Sequence, residues 1–450
     1  MTAAKANLLF LPGVVRSSCR RALEQMRSSP GHGRLLSGSM IMLAGTTLVS
    51  ALNFAYNLVT AHLLGPTDFG HASVAVTLLM LASAITLSFQ LVCAKIVARE
   101  PTPAGKLRVA LVFRRRAWLL SVGISALLAG LTGVLTAYLR LPSRVVILLM
   151  ALSIFFYIPL GARRGLLQGV CDFPRLAGNL MLESFVKLIA AVLLVELLLT
   201  SSRNSAMLGA VAAVTVSVIA AYYIARPGQT WRGIEPLSEA AVTIPAGFHE
   251  GLQASVFFVG QVLLNNIDIV LVKHFFAPRD AGLYAAIALV GRVVYLACWS
   301  VVSAMFPIAA GEREHEPRSF LLVPLLLVAA IGGAFVTVSA LFPHPIMHIL
   351  FGAGFHSSTE SLLGWYAACT ALYALSMTLM TYEMSRKIAN TAWLQLAFSF
   401  LVIAGIARFH SSMLQVIHVQ IALRLLLLAL VALPFLRFRP AQAAPAQEAA

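Results

Sequence analysis

Charge is what this chain has least of. Asp, Glu, Lys and Arg make up 11% of its 450 residues, and only 17 residues are acidic. So few charges cannot cover the water-facing surface of a protein this long. With 59% hydrophobic residues and a mean hydropathy of +0.86, the chain must be dissolved mainly in lipid. Cysteine is scarce as well. Cys19, Cys93, Cys171, Cys298 and Cys369 are scattered singly without C-x-x-C spacing, which excludes a disulfide framework and a thiolate metal centre. Enzyme signatures are missing: the chain has no G-x-x-x-x-G-K-[ST] loop, no H-E-x-x-H and no G-x-S-x-G. These absences count against primary ATP-driven transport by the chain alone and favour secondary transport, and the expectation is a protein that is not an enzyme and has no cofactor.

What is present is a series of apolar runs of about twenty residues, bounded by Pro, Gly or basic clusters. That length spans a hydrocarbon core of roughly 30 Å as a helix, the form in which each segment satisfies its own backbone groups. The expected spans are approximately 40–62, 70–97, 117–139, 145–168, 176–199, 206–225, 248–275, 282–308, 320–342, 362–384, 389–408 and 414–436. The first run is longer than a signal-peptide core and lacks a small-residue cleavage site, so it is expected to be a retained span. Residues 1–39 read as a basic cytoplasmic arm with an interfacial stretch at Leu8–Leu11, and 437–450 as a disordered cytoplasmic tail.

A formal charge of +16 raises the question of nucleic acid, but the basic residues follow membrane topology instead. Alternate segments collect clusters such as Arg114–Arg116, Arg163, Arg164, Arg175, Arg386, Lys387, Arg437 and Arg439. The opposite segments hold little beyond Arg140, Arg144, Arg203, Lys273, Arg279 and Arg408. The positive-inside rule then puts both termini in the cytoplasm, and no soluble basic domain remains to bind nucleic acid.

A duplication is written into the sequence. At one fixed offset Asn53 falls on Asn265, His62 on His274, Pro66 on Pro278, Asp68 on Asp280 and Gly70 on Gly282. The polar stretch 227–247 divides the halves, 40–226 and 248–436. Each half holds an even number of spans, so the two enter the membrane in the same direction as parallel repeats around a central space. The expected fold is an all-α polytopic membrane protein of about twelve transmembrane helices in two parallel six-helix bundles. The repeated turn, Gly65–Gly70 and Ala277–Gly282, reads as structural: Pro stops one helix, Asp caps the next, and Gly permits close approach.

Polar side chains inside spans are expensive in lipid and so mark interior faces. Gln261, Asn265 and Asp268 lie at i, i+4 and i+7, on one face of the seventh span; Thr46, Asn53, Asn57 and Thr60 trace a similar stripe on the first. Interhelical hydrogen bonding within each half is the competing reading of the Asn pair. Glu183 and Lys187 lie one turn apart, a spacing that favours a structural ion pair. Asp268 and Arg292, at depths of about 10 and about 15 Å, are placed to pair when the outer side is closed. Arg292, Arg424 and Lys187 are the candidates to attract a phosphate or diphosphate, with Arg offering a bidentate fork. Asp268 and Glu183 are the candidates for ion coupling. His344 and His348 lie at i and i+4, with His356 close in sequence, but Pro343 and Pro345 weaken a helical metal pair, so no metal site is expected.

The segment Asn53 to Gly70, the run from Asn265 to Leu271 with Pro278–Tyr284 after it, Met305-Phe306-Pro307 and the loop Leu350–Phe355 together resemble the polysaccharide biosynthesis flippases. These are the Wzx-like branch of the superfamily that includes MATE exporters and lipid II flippases. The similarity covers roughly 40 to 436 and rests on the order and spacing of loose motifs. It implies a V-shaped pair of bundles that alternate between inward and outward openings in a bacterial inner membrane. The implied substrate is a polyprenyl-diphosphate-linked oligosaccharide, with membrane lipids, a polysaccharide polymerase and other assembly proteins as partners. Two alternatives share the fold. A MATE-type drug or cation exporter calls for acidic and aromatic site residues, whereas the candidate charges here are mostly basic, and a lipid II flippase needs helices beyond 436. A membrane polymerase or ligase of the same glycans needs a large outer catalytic loop; the largest here is about 343–361.

Overall fold

The computed structural model describes residues 30–200, 202–225, 248–298, 319–386 and 391–437. The arm up to residue 29, the linker 227–247, Met305–Pro307 and the tail after 437 lie outside the described residues. Helices dominate throughout, and no strand occurs among the described residues. Helix α1 (Pro30–Arg99) opens the chain, followed by α2 (Pro103–Gly130), α3 (Thr132–Tyr138), α4 (Val145–Gly169), α5 (Phe173–Leu199) and α6 (Arg203–Ile224). The second half holds α7 (Phe248–Phe275), α8 (Pro278–Gly291), α9 (Ser319–Leu341), α10 (Pro343–Phe351), α11 (Leu362–Arg386), α12 (Thr391–Arg408) and α13 (Met413–Arg437).

Helix α1 is two spans in one. Gly65, at φ 75 and ψ 175, breaks it, and Pro66 starts the second span. That backbone region is nearly closed to residues with a Cβ, so glycine is required at the bend. Counting α1 twice, α2 with α3 as one bent span (63° between them), and α10 as a loop element gives the expected twelve among the described residues. Among the described residues eight helices meet the length and hydropathy of a span without help. Two boundaries differ from expectation. The first helix begins at Pro30 rather than near Met40, and the third span begins at Pro103, with Thr102 accepting from the Gly105 amide as its N-cap, so Arg114–Arg116 lie inside a helix.

Within the N-terminal lobe, α4 lies directly on the second half of α1. A Cβ on Gly161, Gly165 or Gly169 would meet the carbonyls of Thr86, Gln90 and Ala94 at 2.4, 2.7 and 2.7 Å. This small-residue stripe at every fourth position brings the backbones together, which is how helices associate where lipid offers no hydrophobic drive. Hydroxyls add cross-helix bonds, Ser125 to the Ala151 carbonyl at 2.9 Å and Ser153 to Thr215 at 2.8 Å.

The lobes meet at one end through the repeated turns. Gly70 and Gly282, repeat mates, abut: a Cβ on Gly282 would sit 1.7 Å from the Pro66 carbonyl oxygen, and one on Gly70 would sit 2.9 Å from the Gly282 Cα. The close approach anticipated for these glycines is therefore between lobes. At the same end Tyr138 stacks on His274 at 3.9 Å, and His274 Nδ1 lies 2.7 Å from the Tyr138 carbonyl. Phe69 packs on Phe351 and Phe355. Helix α1 is mostly exposed from Met40 to Leu48 and mostly buried from Thr60 to Ala75, the stretch that carries its repeated turn.

Candidate functional site

Each lobe holds a buried polar cluster. In the N-terminal lobe α5 presents Asn179, Glu183 and Lys187 at i, i+4 and i+8, on one face. Arg164 of α4 reaches this face, donating from Nε to Asn179 Oδ1 at 2.7 Å and from Nη2 to Glu183 Oε2 at 2.5 Å. Lys187 turns the other way and donates to Asn53 Oδ1 on α1, above the ring of Tyr56. Asn179 in turn donates to the Ala221 carbonyl at 2.9 Å, and Tyr56 to that of Ala210 at 2.9 Å. The Glu183–Lys187 ion pair expected from their spacing is therefore replaced by Glu183–Arg164. Arg164, which had been counted among the cytoplasmic cations, is buried because its planar fork can reach an amide and a carboxylate together.

The C-terminal cluster is built on Asp268, which is fully buried. Three donors converge on its carboxylate: Arg292 Nη2 at 2.8 Å, Tyr366 at 2.7 Å and Tyr284 at 3.0 Å. Stripping a carboxylate of water costs several kcal/mol, and only charge-assisted bonds of this kind offset it. Arg292 closes the end of α8, where a cation also meets the negative pole of the helix. It donates further to Tyr366 at 3.1 Å and to Asn266 Oδ1 at 3.1 Å, and its side chain keeps 19% exposure. Gln420 of α13 donates to the Tyr284 hydroxyl at 3.0 Å. The Asp268–Arg292 pair anticipated from depth alone thus forms at the same time as the lobes touch at the repeated turns.

Arg424 corrects an expectation. It is 2% exposed and donates to the carbonyls of Cys369 at 3.0 Å and Leu264 at 2.9 Å, with its guanidinium over Tyr373. It ties α13 to α11 and α7 and does not line a space between the lobes. Gln261 donates to Tyr295, and Gln395 to Tyr373, so tyrosines anchor amides through this lobe. Asn265 is half-buried and makes no side-chain hydrogen bond among the described residues, whereas its neighbour Asn266, not singled out from sequence, holds Arg292. Tyr284, Tyr366 and Gln420 were likewise missed. Nothing in a single sequence separates a tyrosine that donates to a buried carboxylate from one that anchors a helix at the interface.

Two paired six-helix lobes, each holding buried ionisable groups, make this a multi-pass membrane protein of the MATE-like fold. Solved structures agree in fold. An inward-facing multidrug resistance MATE family transporter of the MOP superfamily superposes with a TM-score of 0.72 at 14% identity, covering 88% of this chain and 96% of that one. An outward-facing structure of such a transporter gives 0.54 at 16% identity, with 91% and 95% covered. A MOP superfamily transporter from Pyrococcus furiosus, described as having a binding pocket of reverse polarity, gives 0.54 at 14% identity, with 90% and 94% covered. By sequence, residues 35–310 match the polysaccharide biosynthesis protein family, and the chain belongs to that family. No curated protein matches the sequence.

Proposed function

We propose that the protein is a flippase that carries a polyprenyl-diphosphate-linked oligosaccharide from the cytoplasmic to the outer leaflet of a bacterial inner membrane, by alternating access, with both termini in the cytoplasm. One cation from each lobe carries this reading: Lys187, bonded to Asn53, and Arg292, bonded to Asp268, a pair complementary to a diphosphate. Within each lobe one cation is the more available. Lys187 is bonded to an amide rather than a carboxylate, and Arg292 is the one that keeps partial exposure.

In this scheme the diphosphate competes with Asp268 for the Arg292 fork and meets Lys187 from the other lobe. The sugars travel beside Asn53, Asn265 and Gln261, whose amides replace hydrogen bonds to water that hydrocarbon cannot supply. The polyprenyl tail stays in the bilayer. Asp268 and Glu183, relieved of their arginines, become the positions for a coupling ion. A polysaccharide polymerase and other assembly proteins receive the unit at the outer leaflet.

The test is Arg292→Ala and Lys187→Ala, made separately in cells whose surface polymer depends on this chain. Polymer export should be lost in both, with Lys187→Ala at normal abundance in the membrane, and Arg292→Lys, which keeps a charge opposite the buried Asp268 and so its abundance, should restore export only in part because the fork is gone. Normal export in both alanine variants would remove the two cations from the mechanism. Efflux of organic cations that depends on the chain, with polymer unaffected, would favour the drug exporter.

A further inference from the structure

The segment between α9 and α11 is folded back on itself. Helix α10 ends at Gly352, whose φ of 76 and ψ of −178 reverse the chain into two short 3-10 turns, Ala353–Phe355 and Ser358–Ser361. The reversal brings together three side chains that sequence spacing did not group. His344, from the first turn of α10, places Nδ1 2.9 Å from Glu360 Oε2, and His356 places Nδ1 3.0 Å from Glu360 Oε1. The two imidazoles stand edge to face at 4.8 Å, and the three donor atoms all lie within 4.8 Å of one another. Glu360 is fixed by a capping box in which the Ser357 amide donates to Oε1 at 3.2 Å. Its carboxylate is buried beneath both imidazoles, which face outward.

We propose that His344, His356 and Glu360 form a binding site for a divalent transition metal, with Zn²⁺ the best-matched ion. This departs from the expectation of no metal, which rested on His344 and His348 as a helical pair. Two imidazole nitrogens and one carboxylate oxygen suit zinc and its first-row neighbours, whereas magnesium and calcium call for oxygen donors alone. Zinc bonds of about 2.0–2.2 Å in a tetrahedron put neighbouring donors about 3.3–3.5 Å apart, so a set whose donors lie within 4.8 Å of one another, each imidazole on a different Glu360 oxygen, draws in by at most about 1.5 Å around the ion. The metal takes the place of the protons now shared between imidazole and carboxylate, and a water fills the fourth position. Binding therefore weakens on acidification, because protons compete for the same nitrogens. His348, one turn along α10 with its ring 5.9 Å from that of His344, lies outside the set.

Phe351 and Phe355 of the same segment pack on Phe69 of the other lobe at 6.4 and 6.0 Å. A metal that stiffens this segment therefore steadies one of the contacts that hold the lobes together. The experiment titrates Zn²⁺ into the purified full-length protein in detergent, against a fluorescent chelator. One Zn²⁺ per chain is expected, not displaced by excess Mg²⁺, with at least about tenfold weaker binding in His344→Ala and in His356→Ala and unchanged binding in His348→Ala. Both imidazoles are exposed, so the variants should melt like the parent without metal, which separates lost ligation from lost folding. Absence of saturable Zn²⁺ binding would overturn the proposal. So would equal binding by the parent and His356→Ala, or a loss in His348→Ala as large as in the other two.

Discussion

Adding one methyl group at the lobe interface tests the assignment of the repeated turns as the point of closure. A Cβ on Gly282 would lie 1.7 Å from the Pro66 carbonyl oxygen and 2.6 Å from its carbon, where ordinary contact begins at 3.4 Å. Gly282→Ala therefore has to open the interface by roughly 1.7 Å, and both partners are backbone, so no rotamer change relieves the clash. Overpacking of this kind costs about 1–3 kcal/mol. Applied to the closed arrangement alone, that is a shift of about 5- to 150-fold in the balance between closed and open ends. Gly178→Ala is the matched control, since a Cβ there meets nothing within 4 Å. The readout is cross-linking between cysteines at 138 and 274, whose native rings stack at 3.9 Å, in a background with the exposed Cys171 replaced. Cross-linking should slow by about the population shift in Gly282→Ala and remain at the parent rate in Gly178→Ala. A parent-like rate in Gly282→Ala, with normal thermal stability, would refute the claim that the lobes close through these glycines.

Two further substitutions separate folding from transport. Arg424→Ala takes the second donor from the mid-helix carbonyls of Cys369 and Leu264 and leaves a cavity inside the lobe, so it should destabilise the C-terminal lobe by on the order of 3 kcal/mol, read as a lower melting temperature in detergent. A parent-like melting temperature combined with lost export would return Arg424 to the transport path. Gly65→Ala forces a Cβ into a backbone region that costs about 1–3 kcal/mol outside glycine, although the space around it is open within 4 Å. Lower stability with no steric partner to relieve is the expected result, and a second-site change that shrinks a neighbouring side chain should not rescue it.

Much of the fold was legible before any coordinates. Apolar runs of membrane length and the repeat pairing Gly70 with Gly282 fix the number of spans and the two-lobe plan, because lipid leaves the backbone no alternative to helices. The stripe Gly161, Gly165, Gly169 came from the structure, where it lies against the Thr86, Gln90 and Ala94 carbonyls. The depth of Asp268 and Arg292 along neighbouring helices was enough to anticipate their pairing, as helical rise converts residue number into distance.

The partners of the other buried charges were decided by tertiary structure. Glu183 has Lys187 one turn away and still pairs with Arg164, because lateral packing of α4 on α5 brings a forked donor closer than the helix face brings an ammonium. Arg424 was read as lining the path, yet its rotation about α13 aims it at two carbonyls inside the lobe. His344, His356 and Glu360 meet only because Gly352 reverses the chain. Sequence period gives the face and depth of each side chain on its own helix. Which neighbour that face meets depends on helix rotation and crossing, and these are set by the summed packing of all the helices together.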